Sequence, residues 1–157
     1  MKAIVPGSYD PVTVGHLDII KRAAEKYDEV YAVIFVNPSK TYRFSVEDRA
    51  RMLAIATEEL DNVLVSYSSG LVIDYMREHD IDLIVKGYRN DTDLEYERVQ
   101  AEWNKAHGGY DTELLPCDPK LSEVSSTRVR RGLDEGSAPE ALLPCGVADY
   151  IKGLSKR

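Results

Sequence analysis

The sequence has little of what marks secreted, membrane or nucleic-acid-binding proteins. It contains only two cysteines, Cys117 and Cys145, without metal-site spacing, which indicates free thiols in a reducing compartment. No apolar run approaches the roughly 20 residues of a membrane span, and Pro6 interrupts the first apolar run too early for a signal peptide. Basic residues number 20 against 27 acidic ones, and the net charge of -7 argues against a general nucleic-acid binder. We therefore expect a cytoplasmic protein that binds neither membrane nor nucleic acid, although a local basic pocket remains compatible with small anionic ligands.

Internal repeats, low-complexity tracts and linkers are also missing, so the 157 residues predict one domain spanning 1–157. Short apolar runs alternate with segments whose apolar residues recur every three or four positions. This alternation predicts an α/β fold, a Rossmann-like doubly wound five-stranded parallel sheet with helices on both faces. The predicted strands are 3–5, 30–36, 63–65, 81–85 and 112–115. The predicted helices begin near His16, Val46, Gly70, Thr92 and Ser125, and a last one runs from Pro139 to the C-terminus.

Five loops follow the predicted strands, at residues 6–16, 37–44, 66–72, 86–91 and 116–127. In a parallel sheet these loops meet at the carboxyl edge, where ligands bind. Their polar groups are mainly hydrogen-bond donors and cations, with neither a base beside a nucleophile nor a metal-binding triad. Such a set suits phosphoryl or nucleotidyl transfer, in which a protein positions groups and neutralises charge.

The loop at residues 6–16 carries the most specific pattern, Pro-Gly-Ser-Tyr-Asp-Pro followed by Thr-Val-Gly-His. It joins a strand to a helix, whose free N–H groups and positive dipole end favour a phosphate. Gly7 and Gly15 allow close approach of the backbone, and His16 offers a donor. The pattern is neither a Walker loop nor the dinucleotide fingerprint. Residues 13–16 are similar to the (His/Thr)-x-Gly-His motif of nucleotidyltransferases, whereas Gly-His alone would indicate only a helix cap.

From end to end, the chain resembles the bacterial phosphopantetheine adenylyltransferases. The blocks that carry the resemblance are residues 6–11 with 13–16, Asn37-Pro38-Ser39-Lys40, 70–75, 84–89, 93–97 and 124–127 with Arg130. The resemblance implies transfer of the adenylyl group of ATP to 4'-phosphopantetheine, giving dephospho-coenzyme A and pyrophosphate, the penultimate step of coenzyme A synthesis. It implies direct in-line attack, Mg²⁺ carried by ATP without protein ligands, and a homohexamer of two stacked trimers.

Site residues follow from the same resemblance, position by position. His16 would stabilise the transition state at the α-phosphate, and Lys40 and Arg89 would complete the catalytic set. The phosphopantetheine site would contain Ser8, Lys40, Val72 and Lys86. The ATP site would contain Ser8, Tyr9, His16, Gly87, Tyr88, Arg89, Glu97, Leu121, Ser122, Glu123, Val124, Ser125, Ser126 and Thr127.

Some of these positions depart from the common family pattern or have simpler interpretations. The family commonly has Arg where this chain has Lys86, so the charge stays and bidentate geometry is lost. Residues 121–123 lack the usual aromatic side chains. Taken alone, Lys40 is typical of a surface lysine, and residues 125–127 are typical of a helix cap.

Two other functions fit the sequence less well. One is a related adenylyl- or cytidylyltransferase that acts on a different nucleotide or alcohol phosphate. The other is a non-catalytic nucleotide-binding protein, against which the combination of His16, Lys40 and Arg89 argues. The aromatic residues Tyr75, Tyr96 and Trp103 on predicted helices favour an oligomer, because such side chains are enriched at interfaces.

Overall fold

In the computed structural model, which describes residues 1–137 and 139–154, five parallel strands form one sheet in the order β3-β2-β1-β4-β5. The predicted five-stranded parallel sheet is therefore confirmed. The strands are β1 (Lys2–Gly7), β2 (Glu29–Phe35), β3 (Val63–Ser68), β4 (Leu83–Tyr88) and β5 (Asp111–Pro116).

Within the described residues, six α-helices connect or follow these strands, and side-chain caps fix where several of them begin. Thr13, Ser45, Asn90 and Ser125 each accept a backbone N–H of the first helical turn, which satisfies donors that lack an intrahelical partner. The helices are α1 (Val14–Lys26), α2 (Val46–Thr57), α3 (Val72–Glu78), α4 (Asp91–Gly108), α5 (Ser126–Asp134) and α6 (Val147–Leu154). None of the helices within 1–137 and 139–154 has the length and apolarity needed to cross a membrane.

The sheet is covered on both faces, as the near-continuous apolar strands predict. On one face Val5, Ala32 and Val85 pack with α1, α2, α5 and α6. On the other face Ile4, Val33 and Ile84 pack with Tyr75 and Met76 of α3. Neighbouring residues of each strand thus point to opposite cores.

A gap opens between β1 and β4 at their carboxyl ends. β1 pairs with β2 over six residue pairs, but with β4 only through Ala3 with Leu83 and Ile4 with Ile84. This is also where the strand order reverses, because β2 and β3 extend to one side of β1 and β4 and β5 to the other. Crevices at such reversal points are the usual ligand sites of parallel sheets.

The structure corrects the predicted carboxyl ends of three strands and the predicted last helix. β1 continues through Gly7 and β3 through Ser68, so residues 6–7 and 66–68 belong to strands and not to the predicted loops. Strand β4 continues through Tyr88, because Lys86 and Gly87 still pair with β5, so these residues end a strand instead of forming a loop. The predicted helix from Pro139 is wrong. A short 3-10 turn (Glu140–Leu142) is followed by a break at residues 143–146, where Gly146 has φ of 88°, and α6 begins only at Val147. Residues 155–157, part of the same prediction, lie outside the described residues.

Candidate active site

A cavity of about 320 Å³ lies in the gap between β1 and β4. Three parts of the chain form its walls: the end of β1 with the first turn of α1, the end of β4 with the start of α4, and the segment that leads into α5. The lining residues that sequence analysis named are Ser8, Tyr9, His16, Lys86, Gly87, Tyr88, Arg89, Glu97, Leu121, Val124, Ser125, Ser126 and Thr127. Most of the predicted ATP-site residues therefore share one cavity.

His16 is held in a defined orientation by the first turn of α1. Its Nδ1 accepts the backbone N–H of Thr13 at 3.0 Å, and the Thr13 hydroxyl accepts the backbone N–H of His16 at 3.3 Å. This reciprocal pair is a capping box with histidine in the place of the usual Glu or Gln. Because Nδ1 acts as an acceptor, the proton of the neutral ring lies on Nε2. His16 is thus a preoriented donor in the cavity wall.

The surroundings of His16 keep its ring uncharged. Burial of the ring, and after it the positive charges of Lys86 and Arg89, lower the pKa of His16 to about 4. A neutral imidazole at pH 7 can donate one hydrogen bond from Nε2 without binding a proton. An incoming polyphosphate would add negative charge and move this pKa upward.

We expect the His16 ring to titrate near pH 4 in the ligand-free protein. The unfolded chain has a histidine pKa of about 6.5, so it binds more protons than the folded state between these values. This group's contribution to stability is therefore complete above about pH 6.5 and is lost as the pH falls toward the folded value. NMR titration of the ring proton Hε1 measures the pKa directly. A midpoint near 6.5 would contradict the expectation.

Each cation of the cavity has a carboxylate partner on α4. Lys86 Nζ lies 3.5 Å from Glu97, and it donates to the Pro6 carbonyl at 3.4 Å across the gap between the strands. Arg89 donates through Nε to Asp93 at 3.0 Å. Burial raises the pKa of the Glu97 carboxyl, while the charge of Lys86 lowers it. These carboxylates orient the two cations and balance their charge while no anion is bound.

The start of α5 is tied to the first loop by hydroxyl and guanidinium groups. The Ser125 hydroxyl accepts the Arg128 N–H at 3.1 Å, so the capping role applies to this serine. The Ser126 hydroxyl donates to the Pro11 carbonyl at 2.8 Å. Arg130 donates to the Asp10 carbonyl at 2.8 Å and to the Thr127 hydroxyl at 3.1 Å. The N-terminus of α5 therefore has a fixed position beside the cavity.

Tyr9 contributes its ring and backbone to this site, and its hydroxyl points into the protein. The side chain is 1% exposed, and its hydroxyl donates to the Val5 carbonyl at 2.7 Å. Its ring centroid lies 4.9 Å from that of His16. The hydroxyl therefore anchors the first loop to β1, and only the ring and backbone of Tyr9 face the cavity.

A second cavity of about 250 Å³ lies on the other side of Lys86. Val72 lines it, together with Phe35 and residues from the middle of α4 (Tyr96, Glu97, Gln100, Ala101 and Asn104). Ser8, Lys86 and Glu97 line both cavities and form their common wall. The two cavities thus meet at a cation, an arrangement that suits two anionic ligands whose reacting groups approach each other there.

Lys40, Ser122 and Glu123 lie outside these two cavities. Lys40 is exposed in the loop after β2, and its backbone N–H donates to the Asn37 carbonyl at 3.0 Å. Ser122 and Glu123 border an open depression beside α5. The Glu123 carboxylate lies 3.8 Å from Arg128, which balances its charge.

Sequence reasoning gave no role to Asp10, Asp93 or Arg49, all of which touch the site or its loops. Asp10 is buried and accepts two backbone N–H groups of the loop after β2. The only signal for it is its place inside the Pro-Gly-Ser-Tyr-Asp-Pro block. Among residues 1–137 and 139–154, no group of three or more His, Cys, Asp or Glu side chains is arranged to hold a metal ion.

Known proteins resemble this chain in sequence and in fold. The family model of cytidylyltransferase-like proteins matches residues 4–132. Phosphopantetheine adenylyltransferase of Clostridium novyi (strain NT) is 42% identical over 98% of this chain and 97% of its own length. The enzyme of the same name from Corynebacterium diphtheriae is 43% identical over 96% of this chain and 95% of its own length.

The structural comparison concerns the fold alone. A crystal structure from Vibrio parahaemolyticus, provisionally assigned as a nicotinate-nucleotide adenylyltransferase, superposes with a TM-score of 0.68. The match covers 96% of this chain and 97% of that chain at 17% identity. The same fold is thus present in a protein with little sequence in common.

Proposed function

This chain belongs to the phosphopantetheine adenylyltransferases of the cytidylyltransferase-like family, and on that basis we propose that it transfers the adenylyl group of ATP to 4'-phosphopantetheine. The products are dephospho-coenzyme A and pyrophosphate, in the penultimate step of coenzyme A biosynthesis. The observation that carries the proposal is the pair of cavities joined at Lys86, with the His16 donor on the wall of one of them.

The chemistry needs little from the protein beyond position and charge. A phosphate oxygen of 4'-phosphopantetheine attacks the α-phosphorus of ATP, and the bond from that phosphorus to the α,β-bridging oxygen breaks as pyrophosphate leaves. The attacking phosphate is already an anion, so no general base is required. The cavity walls correspond to this need, because they offer donors and cations and no base beside a nucleophile.

In this arrangement ATP occupies the cavity of His16, and the pantetheine arm follows Val72 in the second cavity. The Nε2 proton of His16 then meets the α-phosphate, where charge increases as the bond forms. Lys86 stands between the substrates and offsets their mutual repulsion. Arg89 and the N-terminus of α5 bind the remaining phosphates. Mg²⁺ enters bound to the phosphates of ATP, as part of that substrate.

Turnover with ATP and 4'-phosphopantetheine tests the proposal, with mass detection of dephospho-coenzyme A. Pyrophosphate release with a different phosphorylated acceptor, and none with 4'-phosphopantetheine, would favour a related transferase. Binding of ATP without turnover of any acceptor would favour a non-catalytic nucleotide-binding protein.

Lys40 is the one proposed catalytic residue outside both cavities, and it leads to a separate prediction. We expect Lys40→Ala to raise the KM for 4'-phosphopantetheine by about tenfold, the effect of losing one hydrogen bond to a charged group. The KM for ATP should change much less, because Lys40 lies outside the cavity of His16 and its loop meets α5 at the last residue of that helix, through Arg43 and Asp134. Lys21→Ala, at an exposed lysine of α1, removes the same charge and serves as the control. Equal rises in the KM values of both substrates would contradict the placement of Lys40 in the phosphopantetheine site.

We further propose a homohexamer and a cytoplasmic location. The exposed apolar side chains on α4 support the first proposal, since the described chain covers none of Tyr96, Val99 or Trp103 fully. The two free cysteines, Cys117 and Cys145, support a reducing compartment. Light scattering at micromolar concentration tests the hexamer, and a monomer would refute it.

A further inference from the structure

Arg49 is a charged side chain buried where two loops of the carboxyl edge meet. These are the Ser8 loop (residues 8–13, after β1) and the Lys40 loop (residues 36–45, after β2). Arg49 is 2% exposed. Its Nη1 donates to the Ser8 carbonyl at 3.0 Å, and its Nε donates to the Phe44 carbonyl at 3.1 Å. One guanidinium group therefore bridges the two loops.

The same guanidinium group also holds the other end of the Lys40 loop through Tyr42. The Cζ atom of Arg49 lies 4.0 Å from the centroid of the Tyr42 ring, within the range of a cation–π interaction. The Tyr42 hydroxyl in turn accepts the Asn37 N–H at 2.9 Å. Lys40 lies between these two residues in the chain. The turn that carries Lys40 is thus closed by a contact that begins at Arg49.

Asp10 makes a second connection between the same two loops. Its carboxylate oxygens accept the N–H groups of Arg43 at 2.9 Å and Phe44 at 3.0 Å. Asp10 belongs to the Ser8 loop and is 4% exposed. A carboxylate of the Ser8 loop and the guanidinium group of α2 therefore both hold residues 42–44 of the Lys40 loop.

Burying a charge costs free energy that well-packed apolar side chains would not. At Arg49 this cost is offset by two hydrogen bonds and a cation–π contact, and these connect the Ser8 loop to the Lys40 loop. We propose that Arg49 is a positioning residue, which sets the Lys40 loop relative to Ser8 so that the Lys40 ammonium group reaches the phosphate of the acceptor substrate. This inference rests on the proposed function, because that function defines the acceptor.

The first test is Arg49→Lys, which keeps the charge and loses the planar fork that reaches both carbonyls and the Tyr42 ring. We expect the KM for 4'-phosphopantetheine to rise by about tenfold and the KM for ATP by less than about threefold, as a small misplacement of one binding group would cause. Arg51→Lys is the matched control. Arg51 lies on the same helix, is exposed and should leave both constants unchanged.

A second readout follows the loop itself and does not need turnover. In Arg49→Lys the backbone amides of Asn37 and Lys40 should exchange hydrogen about tenfold faster than in the wild type, since their bonds close the loop. Amides of Val33 and Ile34 within β2 should be unchanged. Should Arg49→Lys fail to fold, Tyr42→Phe replaces it. That variant keeps the ring beside Arg49, removes the acceptor of the Asn37 N–H and should show the same pattern.

The outcomes separate the two proposals. A wild-type protein without turnover of 4'-phosphopantetheine would refute the proposed function, and the exchange rates would still decide whether Arg49 positions the loop. Faster exchange with a selective rise in the KM of the acceptor supports the inference. Wild-type exchange and kinetics in the folded variant would overturn it, and so would equal rises in both KM values.

Discussion

Replacing His16 by alanine is expected to lower kcat by about 10²–10³-fold, the cost of removing one donor to a transition state. The affinity for ATP should change far less, because Arg89, the start of α5 and the backbone of the first loop remain. The structural reason is the orientation of the ring. The Thr13 N–H fixes Nδ1 as an acceptor, so the neutral ring carries its proton on Nε2 and can donate from that atom into the cavity. Steady-state kinetics and a separate measurement of ATP binding check the two parts.

His16 also caps α1, so a control must separate chemistry from stability. Loss of the cap in His16→Ala should cost about 1 kcal/mol of the free energy of unfolding. Glutamine is a normal residue at this position of a capping box. His16→Gln should therefore preserve the melting temperature and still lose turnover. Near-normal turnover in His16→Ala would remove His16 from the mechanism.

The part of the site that sequence could predict is the part encoded locally. Residues 6–16 combine a strand end, two glycines and a capping threonine, and each of these fixes nearby backbone independently of the rest of the chain. The arrangement of five loops at one edge also followed from alternation of strands and helices alone. His16, Lys86 and Arg89 consequently meet at one cavity, because all three lie near the carboxyl ends of β1 and β4.

The part that sequence could not predict depends on contacts between distant segments. In the sequence, Val46, Ala50, Leu53, Thr57 and Leu60 are spaced as one face of the helix that begins near Val46. The structure turns that face to bury Arg49 and Met52 as well. A charged residue normally faces solvent, and the burial of Arg49 is explained by the Ser8 and Phe44 carbonyls together with the Tyr42 ring. The break before α6 is of another kind, because Pro144 and Gly146, which has φ of 88°, encode it locally and the sequence prediction overlooked this signal.

Charge illustrates the difference between the whole chain and the site. The net charge of -7 disfavours polyanions in general, yet the cavity concentrates Lys86 and Arg89, each held by a carboxylate. Asp93 and Glu97 come from α4, one turn apart, so a single helix presents both counter-charges. Substrate phosphates would compete with these carboxylates for the same cations. The orientation of α4 therefore affects both cavities at once.

The helix α4 has 18 residues, and none of them is buried. Helices in proteins owe most of their stability to a packed apolar face. Tyr96, Val99 and Trp103 are spaced to lie on one face, and they are 64%, 60% and 42% exposed. Tyr75, the third aromatic residue considered for an interface, is instead buried in the core. The exposed stripe is the surface that a neighbouring chain in the proposed hexamer would cover.

We expect Val99→Glu to convert the proposed hexamer to smaller species. Symmetry would repeat the buried charge in every copy of the contact, and each unpaired charge would destabilise the contact by several kcal/mol. Light scattering should then give a mass well below that of six chains of 17.6 kDa. Arg98→Ser changes the net charge by the same amount at an exposed neighbour about 100° around the helix, and it should leave the mass unchanged. A hexameric Val99→Glu protein would show that this stripe is not the interface. If the smaller species also lose turnover, the reason is structural: the same helix supplies Asp93 and Glu97 to Arg89 and Lys86, so the contact between chains would hold the cations of the active site in place.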